Sequence, residues 1–279
     1  MKKIYILISI FSISIVAKDH EPYESSYQPL PYTNTIFKNG NIYDGDGKEF
    51  IETDIIIQDG KIIAIGKDLP MSNDLITVDA TGKWITPGII DIHSHMGVYP
   101  APSVKTSSDG NEATSPVTAE VWAEHSIWTQ DPQFALALKG GVTTFHVLPG
   151  SANLIGGRGV TAKNLQRNTI NSMKFPDAPH SLKMACGENP KRVYGNRGQS
   201  PSTRMGNIAG YRKSWIKAEG YLSRLDEYEA KSDDAKELSY KPTRDLELET
   251  LAGVLRGDIL VHNHCYRADE MAMMIDVAK

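Results

Sequence analysis

The hydrophobic rhythm of the chain changes near Trp84. Before it, short apolar runs alternate with turn residues. Ile36-Phe37 leads to Asn39-Gly40, and Asn41-Ile42-Tyr43 leads to Asp44-Gly45-Asp46-Gly47. Asp54–Gln58 and Lys61–Ile65 flank Asp59-Gly60, a dipeptide suited to the tight turn of a β-hairpin. Residues 35–83 are therefore expected to form a small β module. From Trp84 onward, strands alternate with helices. Asp131-Pro132 offers an N-cap followed by proline at the first helical position; Phe134, Leu136 and Leu138 supply apolar surface, and Gly140-Gly141 stops the helix. Val142–Leu148, Ser181–Cys186 and Asp258–His264 read as strands. Leu246–Arg256 and Ala268–Lys279 read as helices, the second with Met271, Met274, Ile275 and Ala278 on one face. Repeated strand–helix units predict a parallel sheet, open or closed into a barrel.

Two stretches, 98–130 and 187–243, break this rhythm. They are rich in Gly, Pro, Ser, Asn and charge, and they read as long insertions after strands. Loops of that length are usually functional or disordered. Residues 18–34, polar and rich in Pro and Tyr, read as a linker. The first 17 residues have the three parts of a secretory signal: Lys2 and Lys3, an apolar run from Ile4 to Val16, and Ala17 at the cut. That run is shorter than the ~20 residues of a membrane span. A periplasmic or secreted protein, free of the membrane after signal cleavage, is expected.

The formal charge of -4, with basic residues scattered, excludes a nucleic-acid-binding surface. Two cysteines, Cys186 and Cys265, do not make a disulfide framework, and buried thiols are the expectation. Gly-x-Ser-x-Gly, Cys-x-x-Cys and His-Glu-x-x-His are all absent, which removes the common nucleophile and zincin motifs.

The chemistry concentrates at strand ends. In Trp84-Ile-Thr-Pro-Gly-Ile-Ile-Asp-Ile-His-Ser-His95 an apolar strand ends in His93 and His95. Residues i and i+2 of a strand point to one side, so both imidazoles project together, as ligands of one metal ion should. Val261-His-Asn-His264 repeats the pattern with His262 and His264. Lys183 lies within a strand, and Glu188 follows the end of that strand in Cys186-Gly-Glu-Asn-Pro190. The run Leu148–Gly159 is Gly-rich but lacks phosphate-loop spacing; it reads as a loop that lets backbone approach a substrate, with Arg158 available to bind a carboxylate. His125, His146 and His180 have no assigned role.

The segment Asp79–His95 closely resembles the entry to the first barrel strand of the amidohydrolase superfamily, in its periplasmic imidazolonepropionase-like group. The resemblance implies an α/β fold: a (β/α)8 TIM barrel beside an N-terminal β-sandwich segment, with residues 84–279 forming the metal-dependent hydrolase barrel. It implies a divalent metal, zinc first and iron or manganese as alternatives. His93, His95 and His264 would be ligands, with His262 one layer deeper. The family places a carboxylated lysine or a glutamate between the early and late histidines; Glu188 is preferred for that role over the deeper Lys183. The implied activity is hydrolysis of an amide, lactam or cyclic amide C–N bond in a small molecule, by a chain that can be a homo-oligomer. The family also needs one more strand-end histidine and a strand-end aspartate as the catalytic group. Neither follows the His264 strand within 279 residues, so the catalytic residue is unknown and a barrel truncated before its last strands is expected. The alternative is a non-catalytic remnant or binding scaffold. A periplasmic solute-binding protein would not need the two histidine pairs.

Overall fold

The computed structural model describes residues 24–279. The signal-peptide expectation lies outside the described residues. The N-terminal sheet contains β1 (Thr35–Tyr43), β2 (Glu49–Gln58), β3 (Lys61–Gly66), β4 (Ile76–Asp79) and β5 (Trp84–Ile85). Its order is β3-β2-β1-β4, with β5 also beside β1. The Asp59-Gly60 turn joins β2 to β3 as expected, with both residues at positive φ (50° and 73°). The described strands form one sheet here, where a sandwich segment was expected.

The expected boundary at Trp84 moves. Trp84 and Ile85 pair in parallel with Asn41 and Ile42, inside the N-terminal sheet. The next strand, β6 (Ile89–Ser94), begins only after Thr86-Pro87-Gly88. Pro87 lacks the N–H that a continuous ladder would need, and Gly88 packs against Thr143, leaving no room for a Cβ. The segment read as a linker is tied down where it is described: Ser26 N donates to Asn171 O (2.9 Å) and Ser25 Oγ to Lys174 O (2.8 Å).

The second sheet runs β10-β9-β8-β7-β6, from β6 through β7 (Val142–Val147), β8 (Ile155–Lys163) and β9 (His180–Ala185) to β10 (Ile259–His264). The pairs β6/β7 and β9/β10 are parallel, whereas β8 is antiparallel to both β7 and β9. The fold is thus mixed α/β, with four co-directional strands around one reversed strand. The Gly-rich run read as a loop supplies the first half of β8. Its glycines lower strand propensity but fit the close approaches: a Cβ on Gly159 would lie 2.5 Å from Ser181 Oγ and 2.9 Å from His146 Nε2. The outer strands expose apolar side chains, among them Ile90 and Ile92 on β6 and Leu260 and Val261 on β10.

Helices cover one side of this sheet. In α1 (Pro132–Lys139) the buried Asp131 caps Gln133 N, and of the three apolar residues read as its apolar surface Phe134 alone is buried, with Leu136 and Leu138 exposed. The 187–243 insertion is largely helical: α2 (Glu188–Gly195), α3 (Arg204–Glu229) and α4 (Asp233–Glu237). The buried stripe of α3 is Asn207, Tyr211, Ser214, Ala218 and Tyr221, spaced by alternating steps of four and three. That is helical periodicity written in small and polar residues. Tyr211, Leu154, Ile155, Leu182, Met184 and Leu251 of α5 (Leu246–Arg256) form one core; Phe134, Phe145, Val147, Val160 and Met173 form the other. At the start of α6 (Ala268–Val277), Glu270 is buried, accepts from Arg267 N and pairs with Arg204 Nε at 2.6 Å. It caps the helix with its carboxylate enclosed.

Cys186 and Cys265 form a disulfide, correcting the expectation of free thiols. They follow β9 and β10, and residues Ile259–His264 pair in register with His180–Ala185, so the two strand ends deliver both sulfurs to one place. The bridge spans 79 residues. Constraining a loop of that length in the unfolded chain is worth about 4 kcal/mol in the entropy model. Replacing both cysteines with serine is expected to lower unfolding free energy by about 2–4 kcal/mol, read from the urea midpoint. Two reactive thiols in the unreduced, denatured protein would refute the pairing.

Candidate metal centre

Five histidines and one lysine converge on one face of the second sheet, near the ends of its co-directional strands. His93 and His95 leave β6 with ring centroids 5.2 Å apart, edge to face. His262 and His264 leave β10 on one face, as i and i+2 residues must. His262 stands in register with Lys183 of β9 and stacks at 4.8 Å on His146 of β7. Val261 and Asn263, on the other face of β10, line an apolar groove of about 650 Å³ with Trp215, Met271 and Met274. Strand alternation thus separates an imidazole face from a helix face.

Lys183 is the buried centre of the group, with 1% of its surface exposed. Its Nζ donates to Pro149 O (3.1 Å) and Ser151 Oγ (2.9 Å). The same Ser151 Oγ lies 2.6 Å from His264 Nδ1. His95 Nδ1 lies 2.8 Å from Leu148 O. A carbonyl can only accept, so Nδ1 carries the ring proton and Nε2 is left with its lone pair. Below this layer, His146 binds Thr161 Oγ1 (2.8 Å) and Ser181 Oγ (2.6 Å), joining β7, β8 and β9.

The electrostatics favour neutral rings. Burial lowers the pKa of His93, His95, His262 and His264, and the nearby Lys183 charge lowers each further; at His95 the Leu148 carbonyl and Asp91 oppose the shift. Burial, with His262 and His93 beside it, pushes His146 down to about 4. Burial alone takes the Lys183 amine down to about 8. Neutral imidazole is the form that binds metal. As placed, no three His, Cys, Asp or Glu side chains among the described residues form a ready-made ligand set. The polar atoms that converge include a lysine amine, which such a set leaves out.

Two expected residues sit elsewhere. Glu188, preferred over Lys183 as the bridging group, is exposed at the first position of α2, after Gly187 has turned at φ 68°. A carboxylate there suits the helix N-terminus; it is Lys183 whose polar atom enters the imidazole network. Arg158, expected to bind a substrate carboxylate, donates to Thr250 Oγ1 of α5 (3.0 Å) and lies over the Trp122 ring at 4.3 Å. Its neighbour Gly159 faces His146, so alternation turns Arg158 to the helix side. His125 and His180 also pack on Trp122. His146 and Ser151 carried no role in the sequence reading. A histidine inside Val142-Thr-Thr-Phe-His-Val147, and a Pro-Gly-Ser turn just beyond that strand, were the available signals.

Comparison with other proteins gives consistent results. No protein-family model matches the chain. The amidohydrolase tasK of Hapsidospora irregularis is 35% identical over 241 residues, covering 80% of this chain and 24% of that protein. A dihydroorotase of Ligilactobacillus salivarius is 43% identical over 63 residues, 22% of this chain and 14% of the enzyme. The crystal structure of an amidohydrolase from Thermotoga maritima MSB8 superposes with a TM-score of 0.78 at 37% identity, covering 88% of this chain and 61% of the other. The chain therefore spans about a quarter of the first relative and three-fifths of the solved one.

The pKa shifts fix the direction of a pH effect. A histidine depressed on folding binds its proton more readily when unfolded, so stability is full above about 6.5 and is lost as pH falls toward the folded value. For His146 the window is from 6.5 to about 4. Lys183 behaves alike between 10.5 and about 8: below that range its buried charge costs on the order of 3 kcal/mol. Lys183→Met is thus expected to stabilise the metal-free chain at pH 7 by roughly 2–3 kcal/mol in urea unfolding. A destabilised variant would show that the amine is not held at an electrostatic cost.

Proposed function

Because the chain belongs to the amidohydrolase superfamily, we propose that its imidazole face is the ligand side of a divalent metal centre in a hydrolase acting on C–N bonds. The observation that carries this reading is the convergence of two strand-end histidine pairs on one buried lysine. His93, His95 and His264 would hold the ion, zinc first, with iron or manganese as alternatives. The donor set fits: the rings are driven neutral, and Leu148 O leaves Nε2 of His95 open. Lys183 takes the bridging role from Glu188. Its amine, down to about 8, is nucleophilic in its neutral form and can add to carbon dioxide, forming an N–C bond and releasing one proton to give a carbamate. Counting the proton first lost to reach the neutral amine, a cationic side chain becomes an anionic oxygen donor at the centre of the cluster.

A divalent ion bound there supplies Lewis acidity for water activation and carbonyl polarisation. The residues of this chain orient and neutralise. His146, clamped between Thr161 and Ser181, supports His262 by stacking. A small molecule with an amide, lactam or cyclic amide bond is the substrate class, supported by relatives named amidohydrolase and dihydroorotase. The residues assigned here are ligands, and the proton-transferring group is not assigned among them. A periplasmic or secreted location is part of the proposal, supported by the Cys186–Cys265 bridge, since disulfides persist in oxidising compartments.

A second reading is a scaffold that binds metal or ligand without turnover. Zinc content and hydrolysis of N-acyl amino acids, dipeptides, dihydropyrimidines and hydantoins separate the two. The hydrolase reading expects about one or two zinc ions per chain, chelator-sensitive hydrolysis, and at least a tenfold loss of zinc affinity in His95→Ala. Zinc uptake without hydrolysis supports the scaffold. No zinc uptake, with His95→Ala indistinguishable from wild type, overturns the metal centre itself.

A further inference from the structure

We propose that Ser151 is a positioning residue: it selects the tautomer of His264 that leaves Nε2 open to the metal centre. The inference rests on the metal-centre reading above and adds a group that the ligand set alone does not require. The turn after β7 reads three candidate ligands in four residues. Leu148 O meets His95 Nδ1 at 2.8 Å, Pro149 O meets Lys183 Nζ at 3.1 Å, and Ser151 Oγ meets both Lys183 Nζ at 2.9 Å and His264 Nδ1 at 2.6 Å. Two of those acceptors are backbone. Ser151 provides the side-chain acceptor among them.

The chemistry of a hydroxyl makes this contact directional. Its oxygen has two lone pairs and one proton. If His264 Nδ1 accepted that proton, the ring hydrogen would sit on Nε2 and close that nitrogen to an ion. With Nδ1–H donating, Ser151 uses its two lone pairs to accept from His264 and from Lys183 together. His264 Nε2 then keeps its lone pair. The arrangement matches the one that Leu148 O imposes on His95, so two ligands from distant strands are set alike by one turn. The bond also orders the ring: His264 packs edge to face on Tyr266 at 4.6 Å, and the Ser151 contact fixes which ring edge faces inward.

The test is long-range imidazole NMR on the metal-free chain, followed by zinc titration against a chromophoric chelator, for wild type, Ser151→Ala and Ser151→Thr. Wild-type His264 is expected to carry its proton on Nδ1. Ser151→Ala should mix or reverse that tautomer and weaken zinc binding by about 10- to 100-fold, the usual range for a lost outer-shell partner. Ser151→Thr, which keeps the hydroxyl, should restore both. His95 is the internal control: its tautomer, set by a backbone carbonyl, should not change in either variant, which also reports an intact fold. A wild-type His264 protonated on Nε2 overturns the proposal without recourse to any variant. So does a Ser151→Ala protein with unchanged tautomer and zinc affinity. If wild type takes up no zinc, the metal reading fails, and the tautomer measurement still decides the role of Ser151.

Discussion

The Lys183 amine lies in the interior of the second sheet, held by the Pro149 carbonyl and the Ser151 hydroxyl, with imidazoles from β6 and β10 close enough to feel its charge. Burying an amine is unfavourable unless it is neutralised or well bonded. Much of the surrounding structure meets that requirement. The β7–β8 turn supplies both acceptors, and the disulfide fastens the ends of β9 and β10. A site that costs stability at neutral pH is a common sign of a group retained for chemistry.

The second constraint is the reversed strand β8. Between β7 and β9 it brings Gly159 against His146 and Ser181, and a larger residue would separate those two side chains. Their hydrogen bond joins strands that do not neighbour each other in the sheet. His146 therefore acts as a tie across the floor of the imidazole cluster, held neutral by the same burial that makes it effective. The floor sets the height of His262 by stacking, and the rim histidines stand one pleat above it.

Period-two reasoning made the two histidine pairs legible in sequence. His93 with His95, and His262 with His264, needed only the alternation of a strand, and Asp59-Gly60 needed only the turn it favours. The rest was hidden for identifiable reasons. Gly156, Gly157 and Gly159 erase strand propensity, so β8 looked like a loop, and the side on which Arg158 falls could not be read before the strand was known. The stripe of α3 uses Asn, Ser, Ala and Tyr, which an apolar count overlooks. Cys186 and Cys265 are 79 positions apart, and only the register of β9 against β10 makes them neighbours. Glu188 lies exposed at the start of α2, whereas Lys183, inside β9, carries its amine into the imidazole network. A residue inside a strand looks too deep to take part, yet the imidazole cluster lies over the strand and not beyond its tip.

That last point bears on how such a site is assembled. Ligands at strand tips alone would depend on loops, which carry most of a fold's mobility. Here the groups beneath the rim are strand residues fixed by ladder register: His262 opposite Lys183, and Ser181 within reach of His146. His95 and the 148–151 turn are loop, and two of the turn's four contacts are made through backbone carbonyls, whose direction follows from the path of the chain. A site built this way loses little entropy when it takes up a ligand, because register and hydrogen bonds have already fixed the donors. The one adjustable contact is the Ser151 hydroxyl, which can rotate. It stands between His264 and Lys183, and its oxygen meets both.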